Sequence, residues 1–290
     1  LGVTALAVDP PSRLTGGAVL LALAAGNVAF LAGHFLLRYV ALEMVGLLIA
    51  AAPLWAQSPR RGAPKRAAGA SAAWVYLLLR VGDAGLLAAI LILWTQTGTL
   101  AITPALDAAA ALPVGVQTWA AGGFLLAVAV KIGLWPFHTW IRSGGSLDRL
   151  AGTWLYATLM PNLGLYLLYR VGPMVSAIPG LRWSAVGAGI AIGGATLLVA
   201  LHRRRRAGQP ARIMAGIGAI LWCAAAGIHY RIAWWGLLAL SLIRLPLFLR
   251  RAVPPVPATW TALDEGIRHF ARQPQRDIEE GILERGLGTL

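Results

Sequence analysis

Apolar runs of about 20 residues recur along the whole chain, and they restrict the fold more than any other sequence feature. A helix of that length crosses the hydrocarbon core of a bilayer and satisfies its own backbone polar groups there. Of the 290 residues, 58% are hydrophobic and only 12% are charged, whereas soluble domains carry about 25% charged residues. The sequence therefore predicts an all-α, multi-pass membrane protein.

We predict one transmembrane bundle over residues 1–252, with eight spans. The expected spans are 14–34, 36–56, 72–96, 117–138, 150–171, 183–201, 211–229 and 232–249. Prolines after the last span end the helix. Residues 259–272 then place Trp260, Leu263, Ile267 and Phe270 on one helical face. We therefore expect residues 253–290 to form a C-terminal region whose amphipathic helix lies in the membrane interface or against a partner subunit.

Basic residues are distributed unequally between the two sets of connecting segments. Thirteen lysines and arginines fall on one side, and Arg38, Arg182 and Arg231 fall on the other. The positive-inside rule places the basic side in the cytoplasm, so an even number of spans puts both termini there. We expect a cell inner membrane protein. The net charge of +14 lies in the gaps between spans, which indicates topological anchoring and not nucleic-acid binding.

Motifs for metal, cofactor or covalent chemistry are not recognisable in the sequence. The one cysteine, Cys223, lies in an apolar run, so no disulfide within the chain is possible. The five histidines lack the spacing of metal ligands, and the glycines do not form a phosphate-binding pattern. We expect no metal, no cofactor and no catalysis by this chain alone.

A lysine lies deep in an apolar segment at the start of the stretch Lys131 to Trp140, Lys-Ile-Gly-Leu-Trp-Pro-Phe-His-Thr-Trp. A charged amine at membrane depth is costly, so such residues usually mark ion paths. Pro136 lacks a backbone N–H and is predicted to break the helix beside this amine. His138 would lie at or beyond the break, as a polar residue or a proton exit. The alternative is a lysine whose ammonium extends to the membrane surface.

Further ionisable residues lie inside other apolar segments. Glu43 is in the middle of the second span, and Arg80 and Asp83 are three residues apart in the third, on one helical face where they can pair. Arg244 lies nearer the end of the last span. Desolvation disfavours the charged form of a buried amine and a nearby carboxylate favours it, so a mobile Glu43 could make Lys131 bind and release a proton. The alternative is a set of static ion pairs that lock helices together.

These segments resemble the antiporter-like membrane subunits of respiratory complex I and their relatives. The relatives include multi-subunit sodium/proton antiporters, membrane-bound hydrogenases and an energy-coupled inorganic-carbon uptake system. The family pattern of lysine, four residues, Pro-Leu/Phe-His, one residue and Trp is matched by Lys131, Pro136, Phe137, His138 and Trp140. Its Trp-Glu-Leu-Val-Gly helix core resembles residues 42–46, and its Asn-Arg-Val-Gly-Asp segment resembles residues 80–83. The resemblance implies a proton-translocating bundle in which Glu43 and Lys131 form the working pair and Asp83 tunes it.

The sequence departs from the family pattern in its later helices. Tyr156 occupies the position of a family histidine, and a tyrosine with an ordinary pKa near 10 is a poor proton relay at neutral pH. Ala211 occupies a lysine position, with only Arg212 retained, and Arg244 replaces a lysine of a later helix. Full members have inverted repeats, whereas this chain matches one repeat and the start of a second. The resemblance therefore implies a reduced, partner-dependent subunit.

Three functions are compatible with these residues. The first is a proton- or cation-conducting subunit of a larger energy-converting complex, such as a translocase related to NADH-quinone oxidoreductase. The second is the membrane subunit of a proton-driven bicarbonate or CO₂ uptake complex, for which Phe137 is a weak indication. The third is a non-conducting scaffold, which Tyr156 and Ala211 permit. The implied partners are the lipid bilayer, other membrane subunits of a hetero-oligomer, and a soluble redox or zinc-containing protein.

Overall fold

The computed structural model describes residues 13–55, 65–146, 152, 154–202, 209–236, 238, 239 and 242. The α-helices of this part include α1 Arg13–Leu31, α2 Phe35–Trp55, α3 Lys65–Thr97, α4 Ile102–Ala109, α5 Val114–Ile132, α6 Met160–Ala177, α7 Pro179–His202 and α8 Gln209–Gly227. A 3-10 helix, Phe137–Ser146, and a π-helical turn, Leu155–Leu159, lie between α5 and α6. The described residues form no β-strand, so the fold is all-α.

The long helices form the bundle of a multi-pass membrane protein, as expected. Within the described residues, three helical stretches are long and apolar enough to cross a membrane: Phe35–Leu54, Gly69–Thr97 and Val114–Ile141. Their mean hydropathy is 1.9, 2.0 and 1.6, respectively. Two shorter apolar helices are Gly16–Leu31 and Gly216–Gly227. The total of eight spans stays a prediction, because most of the expected eighth span lies outside the described residues.

Helix α5 ends near the expected break, although the residue that ends it is Gly133. Gly133 has a left-handed backbone (φ 74°), and its N–H donates to the carbonyl of Val130 while that of Leu134 donates to Ala129. These two bonds make a Schellman C-cap, which glycine accommodates without strain. The helix therefore ends at Ile132 and not at 138 as expected, and Pro136, after a cis peptide bond, lies in the turn that follows.

The boundaries of two other elements also differ from expectation. The expected span from residue 150 contains the π-helical turn Leu155–Leu159, and helix α6 begins directly after it at Met160. The polar segment from residue 97 to 116 contains α4, which we did not predict from sequence. Backbone hydrogen bonds join Phe35 to Leu100 and Ile102 to Gly33, so the α1–α2 turn and the start of α4 lie at the same end of the bundle.

Glycines bring α3 and α5 unusually close together. A Cβ added to Gly123 would lie 2.5 Å from the carbonyl oxygen of Gly85, and one added to Gly82 would lie 2.8 Å from the Cβ of Val130. Small residues at a helix–helix contact allow backbones in a membrane to approach. Because Gly82 and Gly85 flank Asp83, this approach brings the short Asp83 side chain within reach of α5.

Two expectations from the sequence concern residues outside the described part of the chain. These are Arg244, expected on an ion path, and the C-terminal region 253–290 with its amphipathic helix.

Candidate functional site: a chain of buried ion pairs

Lys131 is fully buried in the last turn of α5, and its relative exposure is 0%. Its Nζ lies 2.6 Å from Oδ1 of Asp83 on α3, and Asp83 is 2% exposed. The carboxyl end of a helix carries a partial negative charge, which also favours a cation in the last turn. The ammonium therefore has two sources of stabilisation, and it does not extend to the membrane surface.

Asp83 contacts a second cation with its other oxygen. Its Oδ2 lies 3.0 Å from Nη2 of Arg80, one turn earlier on α3. Arg80 in turn forms an ion pair with Glu43 on α2, and its guanidinium lies 5.1 Å from the centre of the Tyr76 ring. The four charged side chains thus form one chain in the order Lys131, Asp83, Arg80, Glu43, and their charges sum to zero.

The chain of ion pairs runs from the core of the bundle toward its periphery. Lys131 and Asp83 are buried, whereas the Glu43 side chain is 13% exposed and that of Arg80 is 29% exposed. Gly46, one turn after Glu43, keeps α2 near this cluster, because a Cβ there would lie 3.9 Å from both Arg80 and Asp83. The motif residues of α2 and α3 therefore face each other across one helix interface.

The direct partner of Lys131 differs from the sequence-based expectation. We expected Glu43 and Lys131 to form the pair, with Asp83 as a modifier. In the structure Asp83 occupies the central position, and Arg80 separates it from Glu43. The sequence places each charged residue on its helix. Which residue pairs with which depends on how α2, α3 and α5 pack, and this is visible only in the structure.

The segment after the break returns to α5 and supports its last turn. Trp140 is fully buried, and its indole Nε1 donates to the carbonyl of Val130 at 2.9 Å. His138 is also buried, two residues earlier in the 3-10 helix. Gly164 on α6 packs against Lys131, since a Cβ there would lie 3.1 Å from the lysine Cβ. Lys131 is therefore held between α3, α6 and the returning segment.

Tyr156 has a structural contact that the sequence did not reveal. Its hydroxyl donates to the carbonyl of Ile49 on α2 at 2.5 Å. Pro53 lies four residues after Ile49 within α2 and has no N–H to donate back to that carbonyl. Tyr156 thus satisfies the acceptor that Pro53 leaves without a helical partner. The signal available in the sequence was Pro53 inside a predicted span, because a proline there leaves one helical carbonyl without its usual donor.

Arg38 is another residue whose role sequence reasoning missed. We counted it among the basic residues of a connecting segment, but it lies in the first turn of α2 and is 5% exposed. Its guanidinium donates to the carbonyls of Ala29 and Ala32 at 2.9 and 2.6 Å. It therefore satisfies acceptors at the carboxyl end of α1, as basic residues commonly do there.

Metal-binding clusters are absent from the described residues, where no three histidine, cysteine, aspartate or glutamate side chains lie together. The ion-pair chain brings two carboxylates, an ammonium and a guanidinium together inside the bundle. Together, the fold and this chain of charges define a helical, multi-pass membrane protein with buried ionisable groups in its bundle.

Residues 32–201 match the family described as NADH:quinone oxidoreductase/Mrp antiporter, TM. The chain therefore belongs to this family, and all four members of the ion-pair chain lie within the matched segment.

Similar proteins include NADH-quinone oxidoreductase subunit L of Mycobacterium tuberculosis, which is 27% identical over 197 residues. That match covers 67% of this chain and 29% of the relative. The protein of the same name from Campylobacter jejuni is 24% identical over 133 residues, which cover 45% of this chain and 22% of the relative. The chain thus spans less than a third of the length of these curated relatives.

A solved structure, the Mrp complex from Dietzia sp. DQ12-45-1b, shares the fold. The TM-score is 0.70 at 19% identity, and the match covers 80% of this chain and 25% of that chain.

Proposed function

We propose that the chain is a proton-conducting, or cation-conducting, membrane subunit of a larger energy-converting complex. The observation that carries this proposal is the fully buried Lys131, 2.6 Å from Asp83 and linked through Arg80 to Glu43. Ionisable residues inside a membrane bundle that pair with one another commonly belong to proton relays. Membership of the family supports the same conclusion.

Asp83 is the residue through which the two ends of the ion-pair chain, Glu43 and Lys131, influence each other. When Glu43 binds a proton, Arg80 loses one of its two carboxylate partners and binds Asp83 more strongly. Asp83 then stabilises the ammonium of Lys131 less, and Lys131 releases its proton more readily. The proton at Glu43 and the proton at Lys131 are therefore linked, although the two side chains form no direct ion pair.

The arginine in this chain transmits the change but does not carry the proton. A guanidinium stays protonated under all ordinary conditions, whereas a lysine amine can lose its proton when it is desolvated. The proton that leaves Lys131 must pass from Nζ to an acceptor within hydrogen-bond reach. His138, beyond the helix break, is our candidate for the exit side, and Arg244 is a further candidate.

We infer that the partners of this chain are other membrane subunits, because the relatives are subunits by name. A soluble redox or zinc-containing protein would provide the driving reaction. The excess of basic residues on one side favours an inner membrane location with both termini in the cytoplasm.

A substitution that keeps the charge but blocks deprotonation tests this function. We would purify the complex through a tag on this chain, reconstitute it into vesicles and measure proton movement with a pH-sensitive dye. Lys131→Arg should assemble normally but translocate at less than a tenth of the wild-type rate, an order-of-magnitude estimate based on the permanent charge of the guanidinium. Normal assembly with wild-type translocation would favour the scaffold function instead.

A further inference from the structure

A second site lies away from the ion-pair chain, at the end of the bundle where α4 is found. A cavity of about 200 Å³ is lined there by residues of α4, by the last turns of α6 and by Tyr230. Its polar lining includes Thr103, Asp107 and Arg170. Such a mixture of charge and apolar surface in one cavity indicates a ligand that has both characters.

The position of the cavity in the fold points to the level of the membrane surface. Helix α4 connects α3 and α5, which are both long and apolar enough to cross a membrane. A short helix between two spans must lie where they leave the hydrocarbon core. Tyr169 and Tyr230 line the cavity, and the centres of their rings lie 6.0 Å apart. The ring centre of Tyr169 lies 5.6 Å from that of Trp234. Tyrosine and tryptophan are enriched at this level of a bilayer.

The two charged groups of the cavity remain available to a ligand. Asp107 and Arg170 are both in the described part of the chain, and they form no ion pair with each other. Nη2 of Arg170 donates to the hydroxyl of Thr103 at 3.0 Å. A guanidinium has five N–H donors, so Arg170 can bind an anionic oxygen at the same time. Arginine is well suited to phosphate, and the carboxylate of Asp107 is suited to an ammonium group.

The remaining walls are apolar. Leu106, Pro173 and Met174 line the cavity beside the charged groups. They provide a surface for the first carbons of an acyl chain, while the tyrosines provide aromatic faces for an ammonium. No single small ion matches this arrangement, because Asp107 repels an anion and Arg170 repels a cation.

We propose that this cavity binds the headgroup of a zwitterionic phospholipid that carries a primary ammonium, namely phosphatidylethanolamine. The phosphate binds Arg170 and Thr103, the ammonium binds Asp107, and the acyl chains extend along α6. The site would anchor α4 to the membrane surface at a fixed depth. Free phosphoethanolamine has the same polar groups, so the lipid and the soluble compound must be compared.

Lipid binding to the purified, delipidated full chain is measured by native mass spectrometry. The probes are phosphatidylethanolamine, phosphatidylglycerol and soluble phosphoethanolamine. We expect phosphatidylethanolamine to bind about tenfold more tightly than phosphatidylglycerol, which lacks the ammonium and is repelled by Asp107. Equal binding of the two lipids would overturn the proposal. Soluble phosphoethanolamine that binds as tightly as the lipid would also overturn it, since the acyl chains would then contribute nothing.

Two variants with a matched control assign the binding to this cavity. Arg170→Gln should weaken phosphatidylethanolamine binding about tenfold through loss of a charge-assisted hydrogen bond. Asp107→Asn changes an exposed side chain, so it should fold normally and abolish the preference for phosphatidylethanolamine over phosphatidylglycerol. Arg231→Gln removes an exposed arginine outside the cavity and should bind as the wild type does. A lipid preference unchanged in Asp107→Asn would contradict the site.

Discussion

The carboxylate of Asp83 lies 2.6 Å from the ammonium nitrogen of Lys131, and both side chains are almost completely buried. Two charges this close in a medium of low dielectric constant stabilise each other strongly, but each is very costly when the other is absent. The glycines beside Asp83 make the pairing possible, because they let α3 approach α5.

Asp83→Asn should destabilise the protein, because it leaves the Lys131 ammonium buried without its counter-charge. The expected cost is about 3–5 kcal/mol, the range typical of a broken buried ion pair. Thermal unfolding of the purified full chain measures it. A second change, Lys131→Met, removes the orphaned charge and should recover more than half of the lost stability. Full stability of Asp83→Asn alone, or no recovery in the double variant, would contradict the proposed energetics.

Gly123→Ala should separate α3 from α5. The new methyl group would meet the Gly85 carbonyl at 2.5 Å, and a backbone oxygen cannot move aside without displacing its helix. Overpacking of this kind costs about 1–3 kcal/mol, which thermal unfolding would detect. Gly122→Ala is the matched control, since nothing lies within 4 Å of its added Cβ. Similar unfolding temperatures for the two variants would show that the close approach of α3 and α5 does not contribute to stability.

Tyr156→Phe should be more destabilising when Pro53 is present than when it is replaced. The change leaves the Ile49 carbonyl buried without a donor, which costs about 1–3 kcal/mol. Pro53→Ala supplies a backbone N–H that can donate to the same carbonyl, so in that background Tyr156→Phe should cost less than half as much. A double-mutant cycle by thermal unfolding measures the difference. Equal costs in both backgrounds would refute the structural role assigned to Tyr156.

The sequence was sufficient for the helical class and the family, and it drew attention to the four charged residues that the structure brings together. Apolar length and the cost of intramembrane charge depend on local composition, which is visible in a single sequence. The order of the ion pairs was not predictable, because it depends on the approach of α3 to α5 through Gly85 and Gly123. The end of α5 was also misplaced: a left-handed Gly133 ends the helix before Pro136 does.

Proton translocation by the assembled complex with Lys131→Ala tests the central claim most directly. The chain has two lysines, Lys65 and Lys131, so Lys65→Ala is a matched control for loss of an amine. Reconstituted vesicles containing equal amounts of complex should show wild-type proton movement for Lys65→Ala and none above background for Lys131→Ala. Full translocation by Lys131→Ala would contradict the conducting role and leave the ion-pair chain as a structural element.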